Sequence, residues 1–400
     1  MKQKELTLGV FGFGCVGKGL YDVLNETKGI KADIKRICVK DRSKKRSLSD
    51  DMFTFDKEDI LNDSDIDVVV ELIDDANAAY EIVCQAMKNG KGVVSANKKM
   101  IAENLQNLWE LQKECNVPFL YEASSCASIP IIRNIEEYYD NDLLSGVEGI
   151  FNGSSNYILT KVCRDGQEYG AALKKAQELG FAESNPILDV GGFDAKYKLT
   201  ILTAHAFGAF LNPDMIFNYG IQNLSAHDQK FLSEKGWKIK PMSTAKRIGN
   251  KLCVWGMPQM MSPKHKLYSV EEEYNAVIVE AAFSDQQFFV GKGAGSYPTG
   301  SAVLSDISAL TYDYRYEYKK KFQITDLEYT TDFLIELYVR YYNENDIKDL
   351  KFHAIEESYR GRDYNYIIGK VVLSDLIRCP ILKNEHVFIS QTINETIEVI

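Results

Sequence analysis

Short β-branched runs alternate with stretches of helical periodicity through the first third of the chain. The runs that predict strands are, in order, "LTLGVFG", "DIKRICV", "IDVVVELI", "KGVVSA" and "VPFLYEA". The intervening stretches that predict helices are residues 16–25, 76–88 and 103–115. Because strands and helices that alternate in this way build parallel sheets, the pattern predicts an α/β domain with helices on both sheet faces over residues 1–130.

The pattern changes after this first domain. Long helical stretches, about 154–180 and 194–211, mix with strand patterns such as "NAVIVEAAF" and "QQFFVG". This mixture predicts a second, α+β domain over residues 131–296. The stretch "TGSAVLSDISALTY" predicts a helix that completes the first domain at about 297–320. Residues 324–400 predict a small β-rich module with one short helix, "LSDLIRC", which we treat as a third domain.

Composition excludes several classes of protein. With 45% apolar and 26% charged residues, the 400-residue chain has the balance of a soluble globular protein. It contains no apolar window of roughly 18 residues and begins directly with a strand pattern, so we expect no membrane partner. A net charge of −10 argues against general nucleic-acid binding.

The cysteines and histidines do not predict a transition-metal site. The eight cysteines form no C-x-x-C pair and lie mostly in apolar segments, as reduced core residues of a cytoplasmic protein do. The five histidines show no metal-ligand spacing with them.

A glycine-rich turn follows the first predicted strand. The segment "GVFGFGCVGKGL" contains Gly12-x-Gly14-x-x-Gly17 and leads into a helix. Glycines at these positions permit a tight turn and let a pyrophosphate approach the amides at the helix N-terminus. The strand before, the helix after and the distance to the second strand all agree with a Rossmann-type dinucleotide site. A purely structural turn is the alternative.

The end of the second predicted strand bears on the choice of cofactor. An acidic residue there would bind the ribose hydroxyls of NAD. The chain instead has "VKDRSKKR", which places five cations in one loop, Lys40 first among them. This favours the 2′-phosphate of NADP, although Asp41 leaves NAD possible and a merely solvated loop is the alternative.

A lysine stands near the start of a helix that is otherwise apolar. If the helix begins at Asp194, then Asp194, Lys198 and His205 share one stripe. A cation at a helix N-terminus and in an apolar setting has a lowered pKa, whereas a carboxylate four residues away raises it. Lys198 is therefore a candidate proton donor, and a buried Asp194–Lys198 ion pair is the alternative. His205 is interpreted as a core histidine.

Two further segments contain candidate ligand-binding residues. Lys98, in "VVSANKKM", follows the fourth predicted strand, at the sheet edge where parallel-sheet proteins bind ligands. The neighbouring Lys99 is expected to be solvated. In "VGKGAGSYPTGSAVLSD", Gly293 and Gly295 precede a helix and allow close backbone approach, by a ligand or only by the chain itself.

Six segments together resemble the homoserine dehydrogenase family over residues 5 to about 315. They are "GFGCVGKG", "SANK", "EASSCASIP", "GIFNGSSNYILT", "AQELGFAESNPILDVGGFDAKYKL" and "GAGSYPTGSAVLSD". The resemblance implies hydride transfer between NAD(P)H and L-aspartate 4-semialdehyde, giving L-homoserine in threonine and methionine biosynthesis. It also implies a Rossmann-type domain, a second α+β domain for substrate and dimerisation, and a homodimer or higher homo-oligomer.

The resemblance also assigns roles to residues of this chain. It makes Lys198 the general acid/base, with Lys98 and Asp194 as catalytic partners. The implied substrate-binding residues are Gly180, Glu183, Asp194 and Lys98. The implied cofactor-binding residues are Gly12, Phe13, Gly14, Val16, Gly17, Lys40, Ala76, Lys98 and Gly293. A monovalent cation such as sodium is implied at the backbone carbonyls of Glu122, Ser125, Ala127 and Ile129.

The chain departs from the family in three places, one of which is Asn185 in place of a frequent aspartate. Between "EAS" and "IP" the family usually has a valine and small residues, mostly glycine, whereas this chain has "SCAS", which bears on the cation loop and the nicotinamide pocket. Residues 324–400 resemble a shortened ACT-type regulatory module that lacks the usual glycine turn and a full first helix, so weak or absent threonine feedback is expected. A related semialdehyde or imine reductase and a non-enzymatic dinucleotide sensor are the alternative functions.

Overall fold

The computed structural model describes residues 3–182 and 184–400, and they form two compact units. The first unit contains the chain up to Asp140 together with Thr200–Asn212 and Gly291–Phe322. The second unit contains Asn141–Leu199, Pro213–Val290 and Gln323–Ile400.

The strands and helices are numbered in chain order. The strands are β1 Leu6–Phe11, β2 Ala32–Cys38, β3 Phe53–Thr54, β4 Val68–Glu71, β5 Gly92–Ser95, β6 Phe119–Leu120, β7 Leu144–Ile150, β8 Phe217–Asn218, β9 Lys238–Ile248, β10 Lys251–Met261, β11 Tyr274–Ala281, β12 Asp285–Lys292, β13 Glu328–Thr330, β14 Phe333–Tyr341, β15 Ala354–Arg360, β16 Asn365–Val372, β17 Phe388–Gln391 and β18 Glu398–Val399. The α-helices are α1 Cys15–Glu26, α2 Glu58–Leu61, α3 Ala76–Lys88, α4 Lys98–Cys115, α5 Ile131–Arg133, α6 Gly153–Cys163, α7 Tyr169–Glu178, α8 Ile187–Val190, α9 Phe193–Phe207, α10 Ala226–Lys235, α11 Ser296–Leu310, α12 Lys320–Gln323 and α13 Leu373–Arg378.

The first unit is built on a parallel sheet with the strand order β3-β2-β1-β4-β5-β6. The paired strands all run in the same direction. This is the strand order of dinucleotide-binding α/β domains, in which the chain reverses direction across the sheet beside β1. The predicted Rossmann-type fold is therefore confirmed.

Helices α1 and α11 pack closely because both carry glycine at the contact. A Cβ on Gly300 would come within 2.6 Å of the backbone of Gly19, and a Cβ on Gly19 within 2.2 Å of the carbonyl oxygen of Ser296. Only glycine permits this distance between helix axes. The contact fixes the position of α1, whose N-terminus follows the glycine turn.

His205 lies in the core of the first unit, as predicted. It is 1% exposed, and its Nε2 lies 2.8 Å from the hydroxyl of Tyr121. Its Nδ1 lies 2.6 Å from a carboxylate oxygen of Glu136. These contacts satisfy both ring nitrogens.

The second unit contains a large mixed sheet with the order β12-β11-β7-β9-β10-β17-β14-β16-β15. Its longest antiparallel pair, β9 and β10, turns at Gly249 and Asn250, with Gly249 at φ 60°. The sequence pattern did not predict this hairpin, because its strands are buried on both faces over most of their length and show no alternation of apolar and polar residues.

The C-terminal strands continue this sheet. Strands β14, β16, β15 and β17 form antiparallel pairs, and β17 lies beside β10 through one parallel residue pair, Gln259 with Gln391. Side chains of Phe333, Leu337 and Val387 belong to the same hydrophobic core as Trp255. Residues 324–400 therefore bury their apolar face within the second unit.

Two predicted helices differ from the structure. The stretch 154–180 is two helices, α6 and α7, because Gly166 takes a φ of 65° between them, which a helix cannot continue through. The stretch 194–211 ends at Phe207, where Gly208 takes a φ of 67°. Among the described residues, no helix combines the length and apolar character needed to cross a bilayer.

Candidate active site

The glycine turn of the first unit joins β1 to α1. Gly12 has a φ of 97°, and a Cβ there would lie 2.7 Å from the carbonyl oxygen of Leu72. A Cβ on Gly17 would lie 2.4 Å from the carbonyl oxygen of Gly12. Gly14 is the N-cap of α1 and has open space around it. Gly12 and Gly17 therefore make the tight turn possible. Gly14 leaves space beside the backbone amides at the N-terminus of α1.

The other residues implied at the cofactor surround this turn in the first unit. Phe13 is half-buried and packs edge-on against Phe53, and Val16 lies in the first turn of α1. Ala76 is the first residue of α3. Gly293 is buried in the loop before α11, and that loop is tied to α1 because Ser296 Oγ donates to the carbonyl of Cys15 at 2.7 Å.

The single acid of the basic loop after β2 is bound by a serine of the same loop. The Asp41 carboxylate accepts hydrogen bonds from the amide and the hydroxyl of Ser43 at 2.8 and 2.7 Å, which hold its pKa below the usual value. Lys40 is exposed, with its ammonium 3.8 Å from Asp75, the N-cap of α3. This end of the sheet therefore presents an accessible lysine beside a carboxylate engaged within its own loop.

Lys98 is the first residue of α4, three residues past the end of β5. The helix starts earlier than the predicted residue 103, because Asn97 caps it by accepting the Met100 amide at 3.0 Å. Lys98 is half-buried. Lys99 is exposed and pairs with Glu103 at 3.9 Å, as expected for a solvated side chain.

Lys198 and Asp194 meet in the second unit. The Lys198 ammonium donates to Asp194 Oδ2 at 2.9 Å and to the carbonyl of Phe151 at 2.7 Å. Both side chains are less than a tenth exposed. A buried cation needs such partners, because neither water nor a distant charge compensates its lost hydration. The predicted Asp194–Lys198 pair is therefore present.

Asn152 connects this pair to a second carboxylate that sequence reasoning had not placed. Its amide nitrogen donates to Asp194 Oδ2 at 3.0 Å and to Asp189 Oδ1 at 2.7 Å. Its amide oxygen accepts the Ser155 amide at 2.7 Å and so caps α6. The sequence signal for this residue is an asparagine directly before a helix, in "NGSS".

Gly180 is a further implied substrate residue of the second unit. Gly180 ends α7 in the left-handed region, with a φ of 76°, and is exposed. Glu183 lies outside the described residues. The site therefore offers an ammonium, two carboxylates and an exposed backbone segment, which are groups that can bind an amino acid and move a proton.

The segment implied for the cation is a buried turn. Glu122, Ser125, Ala127 and Ile129 are all buried, and Ser125 Oγ has no hydrogen-bond partner among the residues that the structure describes. Ala127 takes a φ of 41°, which a glycine would adopt without strain. Backbone carbonyls are the hard oxygen donors that alkali cations prefer, so the chemistry of the turn fits such an ion.

The sheet order, the glycine turn and the lysine–carboxylate pair define a class, the NAD(P)-dependent oxidoreductases. Two family models match the chain: "Homoserine dehydrogenase, NAD binding domain" at residues 12–122 and "Homoserine dehydrogenase" at residues 130–308. The homoserine dehydrogenase of Bacillus subtilis (strain 168) is 34% identical over 322 residues, which are 78% of this chain and 74% of that protein. The enzyme of Neisseria gonorrhoeae is 34% identical over 76% of this chain and 72% of its own.

Solved structures agree with these relatives. A homoserine dehydrogenase from Thiobacillus denitrificans superposes with a TM-score of 0.86 at 27% identity, covering 98% of this chain and 99% of its own. A hyperthermophilic archaeal homoserine dehydrogenase in complex with NADPH has the same fold, with a TM-score of 0.67 at 23% identity, over 78% of this chain and 99% of its own. This chain belongs to the homoserine dehydrogenase family. It is an oxidoreductase that acts on a CH–OH group of a small molecule with a nicotinamide dinucleotide.

Proposed function

We propose that Lys198 is the general acid/base of the homoserine dehydrogenase reaction and that Lys98 is its partner near the nicotinamide and the substrate. The observation that carries this proposal is the ammonium of Lys198, held at 2.9 Å by Asp194 and at 2.7 Å by a backbone carbonyl. Two of its three N–H groups are used by these described partners, which fixes the direction of the ammonium. A fixed direction is a requirement for transferring a proton.

The reaction reduces the aldehyde carbon of L-aspartate 4-semialdehyde to the alcohol of L-homoserine. Reduced nicotinamide, when bound, supplies the hydride, and with it both electrons. Lys198 donates a proton to the alkoxide oxygen that develops and becomes a neutral amine, which solvent reprotonates. Asp194 stabilises the ammonium before transfer, and the family resemblance makes either lysine a group that can stabilise the developing negative charge. In the reverse direction Lys198 is the base.

We assign the amino-acid end of the substrate to Asp194, Gly180 and Glu183. A carboxylate suits the substrate ammonium, and Gly180 offers backbone groups on an exposed turn. Asn152 holds Asp194 by donating to the same carboxylate oxygen that Lys198 contacts. In this assignment Lys198 serves the other, reacting end of the substrate.

We propose NADP rather than NAD as the preferred cofactor. The support is the accessible Lys40 and the engagement of Asp41 with Ser43, because NAD specificity would need a free carboxylate at this place. Gly12, Phe13, Gly14, Val16, Gly17, Ala76 and Gly293 form the proposed remainder of the cofactor site.

The test of this proposal is the oxidation of NADPH and of NADH by the purified chain with L-aspartate 4-semialdehyde. Lys40→Glu should weaken NADPH use much more than NADH use, since it places a like charge against the 2′-phosphate. Lys28→Glu makes the same charge change outside the basic loop and is the control. Equal losses with both cofactors in Lys40→Glu would overturn the assignment.

Three further properties remain proposals from the family resemblance. Glu122, Ser125, Ala127 and Ile129 would hold a monovalent cation that stiffens their turn. The chain would form a homodimer or a higher homo-oligomer, in the cytoplasm. Residues 324–400 would be a shortened ACT-like module with a role in assembly and weak or absent threonine feedback. Its strand order, β17-β14-β16-β15, supports the ACT-like interpretation. The last of these four strands along the chain, β17, lies beside the first, β14, and the third, β16, lies between β14 and the second, β15.

A further inference from the structure

A carboxylate is buried at the end of β4, where an apolar residue would be expected. Glu71 follows three valines and is 0% exposed. Burial, together with the nearby carboxylate of Asp74, raises the pKa of Glu71 to about 7, against the hydrogen bonds it accepts from Ser95 and Ile73. An apolar side chain would pack here at no such cost, so the carboxylate requires a different explanation.

The hydrogen bonds of Glu71 lead to the start of α4. Glu71 Oε2 accepts from Ser95 Oγ at 2.5 Å, and Oε1 accepts from the amide of Ile73 at 2.7 Å. Ser95 Oγ in turn accepts the amide of Asn97 at 3.1 Å. Asn97 closes the ring by donating its side-chain amide to the carbonyl of Ile73 at 3.0 Å. Glu71 and Ser95 are also direct neighbours in the sheet.

The ring fixes the backbone that carries Lys98. The same Asn97 caps α4 through the amide of Met100, and Lys98 directly follows Asn97. The Lys98 amide itself donates to the carbonyl of Ala96 at 3.1 Å. The helix dipole disfavours a cation at a helix N-terminus, so helix stability does not explain why a lysine occupies this position.

We propose that Glu71 is a positioning residue for Lys98: through Ser95 and Asn97 its carboxylate sets the direction in which α4 begins and hence the placement of the lysine. This inference rests on the proposed role of Lys98 in the reaction. Neither Glu71 nor Ser95 needs to touch the substrate or the cofactor. Their effect reaches turnover through Lys98.

The test is a double-variant cycle between Ser95 and Lys98. Ser95→Ala removes the hydroxyl that links Glu71 to Asn97, and Ser95→Thr keeps a hydroxyl. In the otherwise unchanged chain, Ser95→Ala should lower kcat by about 10- to 100-fold, as expected when a reacting group is misplaced by a fraction of an ångström to an ångström. Ser95→Thr should recover most of that loss. In the Lys98→Met background, Ser95→Ala should change kcat very little, because the group it positions is gone.

Thr311→Val is the matched control. It also removes one buried hydroxyl from the first unit, where Thr311 Oγ1 donates to the carbonyl of Ser308 at 2.6 Å. The carbonyl of Thr311 accepts a hydrogen bond from the amide of Lys4, which lies just before the amino end of β1. Ser95, in contrast, lies at the carboxyl end of β5. It should lower the melting temperature without affecting kcat per folded molecule.

The outcomes separate the two proposals. If Ser95→Ala reduces kcat by the same factor in both backgrounds, the ring is only structural and the positioning role is wrong. If Lys98→Met keeps the kcat of the unchanged chain, the role of Lys98 is wrong and the inference falls with it. Glu71→Gln, which keeps the shape of the side chain, provides the same cycle if Ser95→Ala melts below the assay temperature.

Discussion

At the scale of single residues, Asp194 stands between a lysine and a second acid. One of its oxygens accepts from both Lys198 and Asn152, and the amide of Asn152 also holds Asp189. Two carboxylates so close would repel each other without donors between them. The amide and the ammonium therefore make an acidic site stable and leave it able to bind an amino group.

Glu71 gives a prediction about pH and stability. Its pKa is raised from 4.5 to about 7 in the folded chain, so the folded state binds its proton more tightly than the unfolded state does. The stabilisation is complete below the unfolded pKa and is lost as the pH rises through the folded pKa. Relative to Glu71→Gln, which does not titrate, the unchanged chain should lose up to about 3 kcal/mol of unfolding free energy between about pH 5 and about pH 8.

Chemical denaturation of both chains across this range measures the difference directly. The comparison with Glu71→Gln cancels the other titrating groups, since both chains share them. A difference that stays constant with pH, or that grows as the pH rises, would contradict the buried, proton-retaining carboxylate.

Some residues of the site could be predicted from sequence and others could not. Lys98, Lys198 and Asp194 stand near helix starts, where a charge pattern is visible in a short window. Asn152 and Glu71 act on partners 42 and 24 positions away, so only the folded chain brings them together. Glu71 in particular looks like the polar end of an apolar strand.

At the scale of elements, the first unit depends on two kinds of glycine. Gly300 is needed for packing, because a Cβ there meets the backbone of α1 at 2.6 Å. Gly14 is not needed for packing, because a Cβ there meets no described residue within 4 Å and its φ of −87° suits any residue. The first glycine serves the fold, and the second leaves room for a ligand at the N-terminus of α1.

A pair of alanine variants tests this difference. Gly300→Ala should lower the unfolding free energy by about 1–3 kcal/mol, since α1 and α11 must move apart. Gly14→Ala should leave the unfolding free energy within about 0.5 kcal/mol and yet weaken NADPH binding by about tenfold or more, because its methyl group occupies the approach of the pyrophosphate. Denaturant melts and NADPH titrations of the two variants are the measurements. Tight NADPH binding by Gly14→Ala would show that the turn is only structural.

The element boundaries show where the pattern was insufficient. Helix α4 begins at Lys98, directly after its Asn97 cap and five residues before the predicted start. The stretch after residue 153 is apolar enough to predict one long helix, but a single left-handed glycine divides it. Caps and turn glycines, rather than periodicity, decide these positions.

At the scale of the whole molecule, a buried ion pair holds the C-terminal strands to the rest of the second unit. Arg340, on β14, lies 3.3 Å from Asp228 in α10, and both side chains are at most 1% exposed. Asp228 also accepts from Tyr338, and Arg340 also donates to the carbonyls of Asn223 and His386. Removing the arginine would leave a buried carboxylate without its cation.

Arg340→Met should therefore lower the unfolding free energy by about 3–5 kcal/mol. Arg360→Met breaks an exposed pair with Glu344 on the same group of strands and should cost about 0–1 kcal/mol. Equilibrium unfolding of both variants decides the matter. Equal, small losses would mean that the C-terminal strands are held by apolar packing alone.

The central claim is that Lys198 transfers the proton, and single-turnover reduction of L-aspartate 4-semialdehyde at saturating NADPH tests it most directly. Lys198→Met should bind NADPH nearly as well as the unchanged chain and reduce the rate per folded molecule by about two to four orders of magnitude. Lys196→Met removes another lysine of the same helix and should keep the rate close to that of the unchanged chain. A Lys198→Met protein that melts early but turns over at a near-normal rate per folded molecule would contradict the account.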